Sequence, residues 1–159
     1  MSDITKDKGW EDLLGSMTDE QMTRSVLGVI GWETYEYPDS IPDQDRNGNM
    51  LETEISLYGM KTNTGRIYNK GFAFEDDVYK NINIFSFAFI PNILQYLNSQ
   101  NLGFKFEKNE SSVGVWITGN DEYVYYAQSE EDNAETPAYY HIPRLLAKSL
   151  LAITYIKKS

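Results

Sequence analysis

The C-terminal segment, residues 136–158, limits the possible folds more than any other stretch of the chain. Pro137 or Pro143 fits the first turn of a helix, where a missing N–H costs nothing, and two lysines end the segment near the negative pole of the helix dipole. We therefore predict a central helix over 137–156 whose apolar stripe the rest of the chain must cover. The stripe consists of residues that recur at intervals of three and four: Ile142, Leu145, Leu146, Leu150 and Ile153.

The size and composition of the chain indicate an intracellular globular protein. Its 159 residues suit one domain with its own core, so we predict a single domain over 1–159. No apolar run approaches the twenty residues of a membrane span, and the first residues lack the cationic head and apolar segment of a signal peptide. Cysteine is absent, which removes disulfides, thiolate metal sites and cysteine nucleophiles.

Local patterns divide most of the chain into helices and strands. Thr18-Asp-Glu-Gln21 has the form of a capping box, which predicts a helix over 18–30 that Gly31 closes. Apolar residues at helical spacing predict a second helix near 87–100. Alternating apolar residues then predict three strands of an antiparallel meander, at 103–108, 112–118 and 122–128.

The region between the first two helices has a different character. Residues 33–54 are predicted to be a long polar connection because of their acids and two prolines, and residues 54–74 have a hairpin-like alternation around Lys61-Thr-Asn-Thr-Gly65. The predicted fold class is therefore α+β. It comprises an antiparallel meander layered with α-helices, in the manner of an αβα sandwich, with an inserted hairpin and loop region around 38–80.

Several short motifs together resemble the phage ABA-sandwich domain family. They are the helix ending at Gly31-Trp32, a later Ile90-Pro91 and helix, strands followed by an acidic stretch, Thr136-Pro137, and the helix with Ile142-x-Arg144 and Leu146-Ala147. The similarity covers residues 18–32 and 82–154, and it departs from the family pattern at the 38–80 region and at Pro143. The resemblance implies a small phage or prophage protein, with a sheet layered between helices, acting in the cytoplasm of a bacterial host. It brings no catalytic residues.

The charge of the chain limits its partners. There are 24 acidic residues against 14 basic ones, a formal net charge of −10. Because an acidic surface is repelled by phosphates, direct binding of nucleic acid is not expected. Basic proteins, metal cations and basic grooves that hold nucleic acid are the natural partners, although such a charge often serves only solubility.

Residues 43–54 match the spacing of a calcium-binding loop. Gly48 stands at the sixth position, where the loop turns sharply, so Ca²⁺ is the one cofactor that the sequence suggests. The flanks differ from an EF-hand, because prolines precede the segment where a helix should enter. The alternative interpretation is an Asx/glycine turn in an acidic loop. The candidate ligands are Asp43, Asp45, Asn47, the Asn49 carbonyl and Glu54.

A second candidate site is an acidic, tyrosine-rich surface near the end of the meander. Tyrosine rings beside carboxylates can hold an arginine-rich partner through stacking, hydroxyl hydrogen bonds and ion pairs. The alternative is that the tyrosines are core residues and the acids are a solvated face. The candidate partner-binding residues are Tyr125, Tyr126, Glu130, Glu131 and Asp132.

No stretch of the sequence carries a specific catalytic signature. The single histidine, His141, fits a capping or core role better than catalysis, and no phosphate loop or zinc-protease motif occurs. We therefore expect a non-enzymatic phage or prophage accessory protein that binds a basic host protein, with inhibition of a nucleic-acid-handling defence system as the specific hypothesis. A calcium-binding structural or regulatory module is the alternative. A small-nucleotide sponge or hydrolase is weaker, because few cations are available for phosphates.

Overall fold

The computed structural model describes residues 9–119 and 126–158. Contacts divide the chain into two compact units. Unit 1 comprises the described residues of Met1–Ile30 and Asn83–Ser159, and unit 2 comprises Gly31–Ile82. The region set apart by its sequence at 38–80 forms most of unit 2. That residues 1–159 form a single domain stays a prediction. It means that the two units unfold together.

The fold is α+β, as predicted, and the described residues form two three-stranded antiparallel sheets and five α-helices. No helix among the described residues is both long enough and apolar enough to cross a membrane. The elements in chain order are α1 (Gly9–Ser16), α2 (Asp19–Val29), β1 (Glu33–Gln44), β2 (Met50–Lys61), β3 (Ile67–Phe72), α3 (Glu75–Lys80), α4 (Ile90–Ser99), β4 (Leu102–Lys108), β5 (Ser112–Gly119), β6 (Tyr126–Glu131) and α5 (Ile142–Lys158).

Helix α2 begins and ends as the sequence predicts for the helix over 18–30. Thr18 Oγ1 accepts a hydrogen bond from the Gln21 amide at 3.1 Å, and Gln21 Oε1 accepts one from the Thr18 amide at 2.8 Å, which completes the capping box. Gly31 has a φ of +83°, a left-handed conformation that closes the helix at little cost for glycine. Local hydrogen bonding therefore fixes both ends of α2.

The sheet of unit 1 confirms the predicted meander. Strands β4, β5 and β6 pair in chain order, and each pair is antiparallel. Val113, Val115 and Ile117 alternate along β5 and are buried. Strand β6 ends three residues later than the predicted 122–128, whose first four residues lie outside the described part of the chain. The alternation of apolar residues was thus the correct guide to this sheet.

Helix α5 is the centre of the unit 1 core, as its stripe predicts. It packs against β5 and β6 of the sheet and against α1, α2 and α4. Leu145, Leu146, Leu150 and Ile153 are at most 2% exposed, whereas Ile142 is half-buried at the start of the helix. A short 3-10 helix, Ala138–His141, precedes α5, and Pro143 lies in its first turn. Most of the described elements of unit 1 therefore pack against this helix.

Arg144 ties α5 to α2 within unit 1. Its guanidinium donates to both carboxylate oxygens of Asp19, at 2.8 and 3.2 Å, and lies 4.0 Å from the centre of the Phe85 ring. The hydrogen bond from Arg144 lowers the pKa of Asp19 below its usual value. Asp19 is in the first turn of α2, where a negative charge also suits the helix dipole. This contact joins the first and last parts of the unit.

Unit 2 corrects one sequence prediction. Residues 33–54, predicted to be a polar connection, instead form β1, a tight turn and the first part of β2. Prolines are compatible with a strand at the edge of a sheet, where their missing N–H would point to solvent, and β1 is the edge of the order β1-β2-β3. The predicted hairpin at 54–74 is confirmed by β2 and β3. Helix α3, which the sequence patterns did not predict, packs against both strands.

Candidate protein-binding surface

The β1–β2 hairpin extends well beyond the rest of its sheet. Strand β3 pairs with β2 only from Tyr58 to Lys61, so no third strand of the described chain lies beside the hairpin from Pro38 to Glu54. We call residues 38–54 the arm. Its seven residues on β1 give it a length of about 23 Å. Every arm residue is exposed except Asp45, which is half-buried. The arm therefore presents its side chains to solvent on both faces.

The turn at the tip of the arm is built by Asp45 and Gly48. The amide of Gly48 donates to the Asp45 carbonyl at 3.1 Å, and the amide of Asp45 donates to the Asn49 carbonyl at 3.0 Å. Gly48 has a φ of +81°, which a three-residue hairpin loop requires at its last position. Hydrogen bonds from Asn49, through its backbone and then its side chain, lower the pKa of Asp45. The Asp45 carboxylate thus organises the turn itself.

The five predicted calcium ligands are only partly brought together by this hairpin. Asp45, Asn47 and Asn49 lie at the turn, and Asp45 Oδ1 accepts hydrogen bonds from the amides of the other two. Asp43 lies on β1, opposite Leu51 of β2, whereas Glu54 lies further along β2, opposite Ser40 of β1. Across the described residues, no group of three His, Cys, Asp or Glu side chains could hold a metal ion. Calcium binding at 43–54 stays a prediction, and the observed geometry is that of the Asx/glycine turn.

Calorimetric titration with Ca²⁺ separates the two interpretations of residues 43–54. A calcium loop gives saturable heat in the wild type and none in the Asp43→Ala/Glu54→Gln double variant. The hairpin is expected to give identical traces for both proteins, because Glu54 is held in β2 away from the turn and the loop would have to break its β1 pairing to close on an ion. Saturable heat that only the wild type shows would contradict the hairpin as the working state of the arm.

The residues of the other predicted surface, at the end of the meander, differ in their surroundings. Glu130 and Glu131 are exposed at the end of β6. Asp132 has a local structural role, because its carboxylate accepts a hydrogen bond from the Ala138 amide and lies 3.8 Å from Lys108 Nζ. Tyr126 is half-buried, and burial raises the pKa of its hydroxyl. Tyr125 lies outside the described residues. All three acids are exposed, but Asp132 is engaged in these local contacts.

The features that would favour an enzyme or a nucleotide site are weak in the described residues. His141 Nε2 is buried and has no hydrogen-bond partner there. Unit 1 has a cavity of about 450 Å³ beside Arg24 and Tyr96 and another of about 270 Å³ beside Lys148 and Tyr126. Each cavity offers one cationic side chain, and Arg24 is already paired with Glu20 at 3.2 Å. A polyphosphate ligand would need several cations, so neither cavity favours one.

The arm concentrates negative charge and exposed apolar surface in one place. It has five carboxylates and one arginine, Arg46, and none of the ion pairs found among the described residues neutralises them. Ile41, Met50 and Leu51 are 46%, 65% and 48% exposed. The sequence patterns did not indicate these apolar residues as a surface, because the acids and prolines of 33–54 are typical of a polar connection. The arm carboxylates are Asp39, Asp43, Asp45, Glu52 and Glu54.

Comparisons with protein-family models, with curated proteins and with solved structures find nothing that matches this chain. The resemblance to the phage ABA-sandwich domain family therefore stays a prediction from its short motifs. Surface charge, exposure and strand geometry are the observations from which a function can be inferred.

Proposed function

We propose that this protein is a non-enzymatic binding protein that holds a cationic protein through the acidic arm of unit 2. The observation that supports the proposal is the arm itself, a two-stranded hairpin with five carboxylates, one arginine and nearly complete exposure. A hairpin this long, with no third strand beside it, gains little stability from its exposed residues. Stability of the fold therefore does not explain these exposed residues, whereas binding of a partner does.

The charge of the arm determines the class of partner. Nucleic acids and the surfaces of most bacterial membranes are anionic, so both repel an arm of this charge. A protein surface rich in lysine and arginine is attracted to it. Basic grooves that hold nucleic acid are such surfaces. The proposal extends to a phage or prophage accessory protein in the bacterial cytoplasm that occupies the groove of a host defence protein.

Neutralising the arm is expected to weaken capture of the partner. The arm variant is Asp39→Asn/Asp43→Asn/Glu52→Gln/Glu54→Gln, which removes four charges and keeps an acceptor oxygen at each position. Wild type and variant are immobilised and exposed to a nuclease-treated bacterial lysate, and retained proteins are identified by mass spectrometry. We expect a basic protein whose affinity falls as salt rises and is about tenfold lower for the variant, since each exposed ion pair contributes a few tenths to 1 kcal/mol.

The matched control removes four charges from exposed residues of unit 1 instead, in the variant Asp12→Asn/Glu107→Gln/Glu110→Gln/Glu135→Gln. Asp132 is left unchanged because it binds the Ala138 amide. This control variant should retain the partner nearly as well as the wild type. Equal losses in the two variants would show that overall charge matters and the arm does not, and tight binding of DNA at moderate salt would contradict the proposal outright.

A further inference from the structure

The outer edge of β1 in the arm offers no free backbone N–H to a partner. The Asp45 amide donates across the hairpin to Asn49, so the odd-numbered residues of β1 point their backbone groups towards β2 and the even-numbered ones point outward. Pro38 and Pro42 are two of the outward residues, and proline has no N–H. The other two amides, of Ser40 and Gln44, are occupied by the carboxylates of the preceding residues.

The two aspartates that occupy these amides are Asp39 and Asp43. Asp39 Oδ1 accepts from the Ser40 amide and Asp43 Oδ1 accepts from the Gln44 amide, each at 2.8 Å. From 38 to 44 the edge thus presents carbonyl acceptors without donors. An added strand needs both kinds of group along the edge, so strand addition to the β1 edge of the arm would leave half of its hydrogen bonds unmade. A partner on this side of the hairpin must instead contact the side chains on a face of the arm.

One face of the arm is suited to such a contact. Residues opposite each other in an antiparallel pair point to the same face, and successive residues point to opposite faces. Met50 and the two arm glutamates therefore lie on the other face. We define the arm face as the apolar column that runs from the base of the β1–β2 hairpin, just outside the arm, towards its tip. Its exposed members in the arm are Ile41 and Leu51, and its half-buried members at the base are Tyr37, Ile55 and Leu57.

The proposed function requires a cationic partner, and the apolar side chains of the arm face indicate that this partner also has an apolar side. Resting on that function, we propose that the arm face binds an amphipathic cationic segment, whose apolar side chains pack on Ile41, Leu51 and Ile55. The lysines or arginines of this segment pair with Asp39 and Asp43, which border the apolar column on the same face. A second copy of this chain is not the occupant, because two arms with five carboxylates and one arginine each would repel one another.

Two synthetic peptides of equal charge test this inference. One is a 14-residue helical peptide of leucine and lysine with a single apolar side, and the other has serine in place of each leucine. Fluorescence anisotropy at low salt should show that wild-type protein binds the leucine peptide about tenfold more tightly, because only that peptide covers the arm face. The Ile41→Ser/Leu51→Ser variant should bind the two peptides within about twofold of each other.

The control is Met50→Ser, which removes a more exposed apolar side chain from the opposite face of the same tip. It should keep the tenfold preference. Equal binding of the two peptides by the wild type, with both weakened in the four-charge arm variant, would overturn the arm face and leave the proposed function intact. Binding that the four-charge variant does not change would count against the proposed function itself. Sedimentation measures the oligomeric state of both proteins. A dimer of the wild type that dissociates in the Ile41→Ser/Leu51→Ser variant would overturn the inference in favour of self-association.

Discussion

Replacing Leu146 by alanine is expected to lower the free energy of unfolding by about 2–5 kcal/mol, the usual cost of emptying a fully buried leucine site. Leu146 has no exposed surface, and it belongs to the helix that packs against the sheet and against three other helices of unit 1. The side chains around it come from several elements, so they cannot all move in to fill the cavity. Urea unfolding, followed by circular dichroism, measures the loss.

Leu13→Ala is the matched control for Leu146→Ala. It is the same substitution in a helix of the same unit, but Leu13 is 44% exposed. The free energy of unfolding should change by no more than about 0.5 kcal/mol, as for most surface substitutions. A loss at Leu146 as small as the loss at Leu13 would mean that α5 is not the centre of the core.

Replacing Gly59 by alanine is expected to destabilise unit 2 by about 1–3 kcal/mol, as overpacking does elsewhere. A Cβ atom at Gly59 would lie 2.6 Å from the backbone oxygen of Asn69 and 2.8 Å from the ring of Tyr35. The Tyr35 ring is half-buried and stacks on Tyr37, and the Asn69 carbonyl belongs to β3, the strand that pairs with β2 at this point. Relief of the contact therefore strains the ladder between the two strands. Hydrogen exchange should show faster exchange of the β2 and β3 amides.

Gly28→Ala provides the opposite expectation within the same protein. Gly28 is inside α2, and a Cβ atom there would meet nothing within 4 Å. Alanine costs less backbone entropy than glycine in a helix, so this variant should gain about 0.5–1 kcal/mol. A gain of stability in both glycine variants would contradict the close approach of the Asn69 carbonyl of β3 to Gly59.

The elements predicted correctly from sequence are those whose signal is local. The capping box of Thr18 and Gln21 needs only four consecutive residues, and its hydrogen bonds form within them. The stripe on α5 and the alternation on β5 record directly which side each element buries. Helix α3 escaped prediction because it has six residues and only Val78 among them is buried, too few for a period to show.

The arm and its chemistry could not be predicted because they depend on neighbours that are distant in sequence. Pro38 and Pro42 ordinarily argue against a strand, and only the sheet order shows that they face outward. Asp45, Asn47 and Gly48 satisfy a calcium-loop pattern and a hairpin turn alike, because both need an acceptor side chain before a tight left-handed bend. The pairing of Asp43 with Leu51 and of Ser40 with Glu54 is what distinguishes them.

The division of the chain bears on the order in which the units can form during synthesis. Unit 2 is one continuous segment, and its two hairpins join strands that are close in sequence, so they can pair soon after they are made. Unit 1 is discontinuous, and α5, the helix at its centre, is the last of the described elements to be made. The buried sides of α2 and β5 therefore have no permanent cover until the ribosome has delivered almost the entire described chain, and exposed apolar surface of this kind favours aggregation of a nascent chain.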